Sequence, residues 1–98
     1  MKTVAMEAGS YGIRANAIAP GCVEGDRING VIEREASQKN TTPDIVRQAY
    51  KAGTSLNTFI EAKDIAAMAV FLASKSASLV SGQIIAVDGH TENPDPKI

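Results

Sequence analysis

The stretch Tyr11-Gly12-Ile13-Arg14-Ala15-Asn16-Ala17-Ile18-Ala19-Pro20-Gly21 decides how the rest of the chain is read. Apolar and polar residues alternate from Ile13 to Ala17, the period of a strand with two unlike faces, and the spacing predicts a strand over 13–19. Pro20-Gly21 ends it, because Pro brings no N–H to a ladder and Gly permits a sharp turn. Immediately upstream, Ser10-Tyr11-Gly12 reads as a turn. Residues 1–8 are good helix formers, stopped by Gly9 as a left-handed cap.

Downstream, Asp26 is an expected N-cap for a second helix with Ile28, Val31, Ile32 and Ala36 on one side. The polar run Ser37 to Thr42 breaks it. Thr42-Pro43 starts a third helix, a capping hydroxyl followed by Pro at the first helical position. Ile45, Ala49 and Ala52 form its expected apolar line, and Gly53 closes it. Thr54 to Phe59 reads as a connecting loop. A fourth helix is predicted over 61–74, with Ile65, Met68, Ala69 and Leu72 at helical spacing, Glu61 and Asp64 at its start, and Lys75 after its end. A Ser-rich linker leads to an apolar run, 83–88, that suits a strand buried on both faces. The tail from Gly89, with Pro94 and Pro96, is expected to be frayed.

Two strands separated by helices imply a parallel crossover connection. Such a pair is not an independent structure, since parallel sheets are covered on both faces and extended by neighbours. Helix 61–74 and strand 83–88 carry more apolar surface than two strands can cover. The chain reads as part of a larger sheet.

Composition narrows the function classes. The chain has 98 residues, 10 basic against 11 acidic, and 44% hydrophobic residues, which fits one globular unit. The basic residues are scattered and only four residues are aromatic, so neither an electrostatic footprint nor a stacking platform for nucleic acid is present. The longest apolar run, Ile65 to Ala73, is about half of the ~18 residues a membrane span needs. No signal peptide is visible, and the expected location is the cytoplasm. Cys22 is the only cysteine, so no internal disulfide can form, and no residues have metal-ligand spacing.

The stretch 11–21 resembles the sixth strand and Pro-Gly loop of the short-chain dehydrogenases/reductases. Lys63-Asp64-Ile65-Ala66 with Val70-Phe71-Leu72-Ala73-Ser74 is similar to that family's late helix. Val80-Ser81-Gly82-Gln83 running into Val87-Asp88-Gly89 is similar to its last strand and following turn. These three blocks occur in family order at family spacing over almost the whole chain. The resemblance implies an α/β fold, the C-terminal part of a Rossmann-type doubly wound parallel sheet, with two strands and about four helical segments. Residues 1–98 are then a partial NAD(P)-binding domain.

The implied activity is hydride transfer between an alcohol or ketone and NAD or NADP. By resemblance Pro20, Gly21, Cys22 and Val23 are cofactor-binding: backbone groups at Val23 bond the nicotinamide carboxamide, while the ring packs near Pro20 and Gly21. On spacing alone the same loop is a strand terminator. Many members carry Thr at the position of Gly25, and that hydroxyl is lost here. Residues 24–60 resemble the helical lid over the substrate. The family's Gly-rich turn and Tyr-x-x-x-Lys pair have no counterpart: Tyr11 is followed at the fourth position by Ala15 and Tyr50 by Thr54. No catalytic residue is therefore assigned, and the chain is expected to start just downstream of its own active site. The isolated chain is expected to be inactive and to bind dinucleotide weakly. It acts, if at all, as a homo-oligomer or by docking on a full-length relative. Cys22 is expected to be inert, His90 a surface residue, and Glu24/Asp26, Glu33/Glu35 and Glu61/Asp64 capping or solvated groups rather than acid–base pairs.

Overall fold

A computed structural model describes residues 1–94 of the chain. Lys2–Ala8 forms α1, which tightens into a single 3₁₀ turn over Gly9–Tyr11 before stopping. The left-handed stop is Gly12, at φ 74°, and not Gly9, which is right-handed at φ −58°.

Only Ala17–Pro20 forms the strand β1, shorter than the alternation predicts. It runs parallel to β2, Ile84–Val87, with Ala17 opposite Ile84 and Pro20 opposite Val87. Before β1 the chain is held by side chains together with isolated backbone bonds. Arg14 Nη1 donates to Leu72 O at 2.7 Å and Asn16 Nδ2 to Val80 O at 2.9 Å. Asn16 Oδ1 accepts from Gln83 N at 3.1 Å, and Gly82 N donates to Ala15 O at 2.8 Å. The polar half of the alternating pattern thus faces the end of a helix and the approach to β2, while Ile13 is exposed.

Asp26–Gln38 forms α2 and Pro43–Ala52 forms α3. Gly25, at φ 151°, is the N-cap of α2 in place of the expected Asp26, which is its first residue. Thr42 Oγ1 caps α3 as its sequence predicts, accepting from Ile45 N at 3.3 Å. The two helices pack as a hairpin, and the core lies there: Ile32, Ala36, Val46 and Phe59, with Cys22, Ile28 and Tyr50 against them. The expected line Ile45, Ala49, Ala52 is not the buried one. Ile45 is 52% exposed and Val46 fully buried, because α3 turns Val46 and Tyr50 toward α2.

Ala62–Ala73 forms α4, its start fixed by Asp64 Oδ2, which accepts from Glu61 N at 2.8 Å. It packs on both strands yet buries only Leu72. Strand β2, expected to be buried on both faces, instead leaves Ile84 and Ala86 exposed, Ile84 at 62%. The Ser-rich linker contains a second 3₁₀ turn, Lys75–Ala77, with Ala77 buried. The tail is not frayed through Asn93: Glu92 N and Asn93 N both donate to Gly53 O. Pro96 lies outside the described residues.

Candidate functional site

β1 and β2 end side by side, so the loops that follow them leave the sheet together. Gly21 N donates to Val87 O at 2.9 Å, carrying the ladder one residue past β1. A Cβ at Gly21 would stand 2.7 Å from Asp88 Cβ and 2.8 Å from Asp88 Cα. Only glycine fits. The resemblance assigns this glycine to the approach of a nicotinamide ring; its close neighbour in the fold is Asp88.

Beyond Gly21 the chain makes a short parallel pairing with Ile60. Ile60 N donates to Cys22 O at 3.0 Å and Glu24 N to Ile60 O at 2.8 Å. In a parallel ladder the residue between two such bonds points its own N–H and C=O the other way. That residue is Val23. Neither of its backbone groups has a hydrogen-bond partner among the described residues. One donor and one acceptor therefore stand side by side, held rigid by their neighbours' bonds.

Two cavities flank this loop. One, of about 320 Å³, lies between Pro20-Gly21-Cys22 and a wall of Tyr50, Thr54, Thr58, Phe59, Asp88 and Thr91. The other, of about 420 Å³, lies between Pro20 to Val23 and the start of α2. Pro20, Gly21 and Cys22 border both, and Val23 only the second. Hydroxyls dominate the polar part of the first wall. Among the described residues no lysine, arginine or histidine lines the first cavity, and Arg27 is the one cation lining the second.

Arg47 fastens the α3 side of the site. Its guanidinium pairs with Glu24 at 2.7 Å, bonds the Asn29 side chain and stacks over the Phe59 ring, 5.3 Å from the centroid. Burial pushes the Cys22 thiol above its ordinary pKa, so it stays protonated, and nothing in its surroundings favours thiolate.

The remaining candidates are placed elsewhere. His90 lies against Ser55 and Glu92 on the surface. Glu24 pairs with Arg47 and Glu35 lies 3.9 Å from Lys39. Glu61 and Asp64 serve the start of α4. Among the described residues no group of His, Cys, Asp and Glu is arranged to hold a metal. Tyr50, Thr54, Thr58 and Thr91 are the site residues that sequence reasoning missed. Tyr50 lies on α3 and Thr54 and Thr58 in the loop that follows it, all within the stretch 24–60 that the resemblance reads as a lid. Thr91 lies beyond β2, and no local pattern marks any of the four singly.

The family model described as Enoyl-(Acyl carrier protein) reductase matches residues 1–90. Levodione reductase of Leifsonia aquatica is 38% identical over 88 residues, which is 87% of this chain and 31% of that protein. The 7alpha-hydroxysteroid dehydrogenase of Escherichia coli is 36% identical over 89 residues, 91% of this chain and again 31% of the relative. The chain thus spans about a third of the length of the curated relatives it matches. The structure of a short chain dehydrogenase family protein from Francisella tularensis superposes with a TM-score of 0.83 at 27% identity, covering 90% of this chain and 36% of that one.

Proposed function

Because the chain belongs to the short-chain dehydrogenase/reductase family, we propose that it is the nicotinamide-side portion of an NAD(P)-dependent oxidoreductase acting on a small-molecule alcohol or its ketone. The observation that carries this reading is Val23, whose N–H and C=O are turned out of the Ile60 pairing without partners among the described residues. A carboxamide offers one acceptor and one donor group, the complement of that pair. Pro20, Gly21 and Cys22 border the cavity that Val23 lines, and the approach and start of α2, from Glu24 to Ile28 with Val31, wall it.

The residues present fit the carboxamide end of the cofactor and not the rest. The 98 residues contain no Gly-rich turn to cradle a pyrophosphate and no Tyr-x-x-x-Lys pair. When bound, the nicotinamide supplies hydride chemistry. This chain's residues hold and orient its amide and keep water from one side of it.

The test is an amide-resolved NMR titration of the full chain with NAD and with nicotinamide mononucleotide. Weak binding centred on Val23 and Glu24, similar for both ligands, is expected, with no NAD(P)H turnover on an alcohol and ketone panel. Micromolar NAD binding by the lone chain, or shifts that leave residues 20–24 untouched, would overturn the assignment.

A second reading is a non-catalytic module that docks on a full-length relative or on its own copies. The exposed Val4, Met6, Ile13 and Ile84 favour it. Co-purification with a full-length relative, and a change in that relative's activity, separates the two readings.

A further inference from the structure

Residues 89–94 fold back from the sheet onto the end of α3. Gly89 and His90 are both left-handed, at φ 65° and 63°, and turn the chain after β2. His90 N donates to Asp88 Oδ1 at 2.8 Å, which holds a conformation that residues other than glycine rarely adopt. The returning segment then pairs with 53–56. Leu56 N donates to Gly89 O at 3.1 Å and Ser55 N to His90 O at 2.9 Å. Thr54 and Thr91 form an antiparallel bridge. Gly53 O accepts from both Glu92 N, at 2.8 Å, and Asn93 N, at 3.1 Å. Ser55 adds a side-chain fastening: its Oγ bonds His90 Nδ1 and donates to Glu92 Oε1 at 3.3 Å.

Gly53 is where this contact is tightest. A Cβ placed there would overlap the Asn93 carbonyl oxygen. Yet Gly53 is right-handed, at φ −75° and ψ −3°, a conformation any residue adopts. Its lack of a side chain therefore serves the contact and not the backbone angle. Thr91, Asn93 and Pro94, once seated, line the cavity that Pro20, Gly21 and Cys22 border from the opposite side.

We propose that residues 89–94 are a strap closing one side of the cavity beside Pro20-Gly21-Cys22, and that Gly53 is the seat on which the strap docks. The proposal rests on the cavity's walls and not on the nucleotide reading; it stands if another ligand enters there.

The test uses the full chain and two variants, Gly53→Ala and Ser55→Ala. Hydrogen exchange read by mass spectrometry follows segments 84–87 and 89–94, and alkylation at pH 8 follows Cys22. In the parent chain 89–94 should be protected. G53A should lose that protection while 84–87 keeps its own, and Cys22 should react roughly three- to ten-fold faster as the open state gains population. S55A should shift both readouts in the same direction and less. An unprotected strap in the parent chain overturns the proposal, and so does G53A with exchange and Cys22 rate both unchanged. If G53A loses protection in 84–87 as well, S55A decides: a faster strap and faster Cys22 support the seat, and no change in either refutes it.

Discussion

Gly21 and Asp88 meet so closely that the carboxyl ends of the two strands are locked to one another through a missing side chain. Gly21→Ala must push the 88–89 turn away, and overpacking of this kind costs roughly 1–3 kcal/mol. Chemical denaturation should show that loss, together with loss of the Val23 response to nicotinamide. Cys22, one residue on, is governed by burial. Its thiol pKa is raised in the folded chain, so this contribution to stability is fully present below the ordinary thiol value and is lost as pH rises through the raised one. Relative to Cys22→Ala, the parent chain should therefore weaken only in the alkaline range, above about pH 8.5. Alkylation at neutral pH should be slower than for the unfolded chain. Equal rates in the two states would remove the case for a desolvated thiol.

At the scale of elements, the α2–α3 hairpin is the best-built part of the chain. Val46 is fully buried while its neighbour Ile45 is half exposed. Val46→Ala should cost roughly 2 kcal/mol, through lost transfer energy and the cavity left behind. Ile45→Ala should stay within about 0.5 kcal/mol. Thermal or urea unfolding of the two variants checks the pair, and equal losses would mean that α3 presents a different face. The start of α3 was legible because Thr42-Pro43 acts on its own helix, over three residues. Its buried face was not legible, because Ile45/Ala49/Ala52 and Val46/Tyr50 are both acceptable apolar lines until α2 supplies Ile32 and Ala36. The strand before Pro20 shows the same limit. Arg14 and Asn16 read as the polar face of an alternating strand, with nothing local to name their partners, which are Leu72 O and Val80 O, 58 and 64 residues away.

The whole molecule is long and thinly covered. It measures 56 × 23 × 23 Å with a radius of gyration of 17.1 Å, against about 13 Å for a compact domain of a hundred residues. Val4, Met6, Ile13, Val70 and Ile84 are more than half exposed, and α4 covers two strands while burying one residue. Covering a single side chain of this size contributes roughly 1.5–3 kcal/mol. Total domain stability is only ~5–15 kcal/mol, so several such contacts decide whether the chain stands alone. Among the described residues the outer edges of both strands are also unpaired, a template for further pairing. Light scattering should find the isolated chain self-associated, and its denaturation broad. A monodisperse monomer with one sharp transition would show that the α2–α3 core suffices for the whole chain.

The sequence by itself determined the four helices, the Thr42 start of α3, the Pro-Gly end of β1, the parallel pairing that two strands separated by helices require, and the excess of apolar surface. Each of these depends on residues within a few positions of one another, on the order of the elements, or on composition alone. Tertiary structure alone decided which face of α3 is buried, why Gly21 and Gly53 carry no side chain, where Arg14 and Asn16 point, and that the tail returns to wall a cavity. Those outcomes depend on Asp88 reaching Gly21 and Asn93 reaching Gly53. Contacts between residues so far apart in sequence exist only once helices and strands have packed, and no local periodicity encodes them.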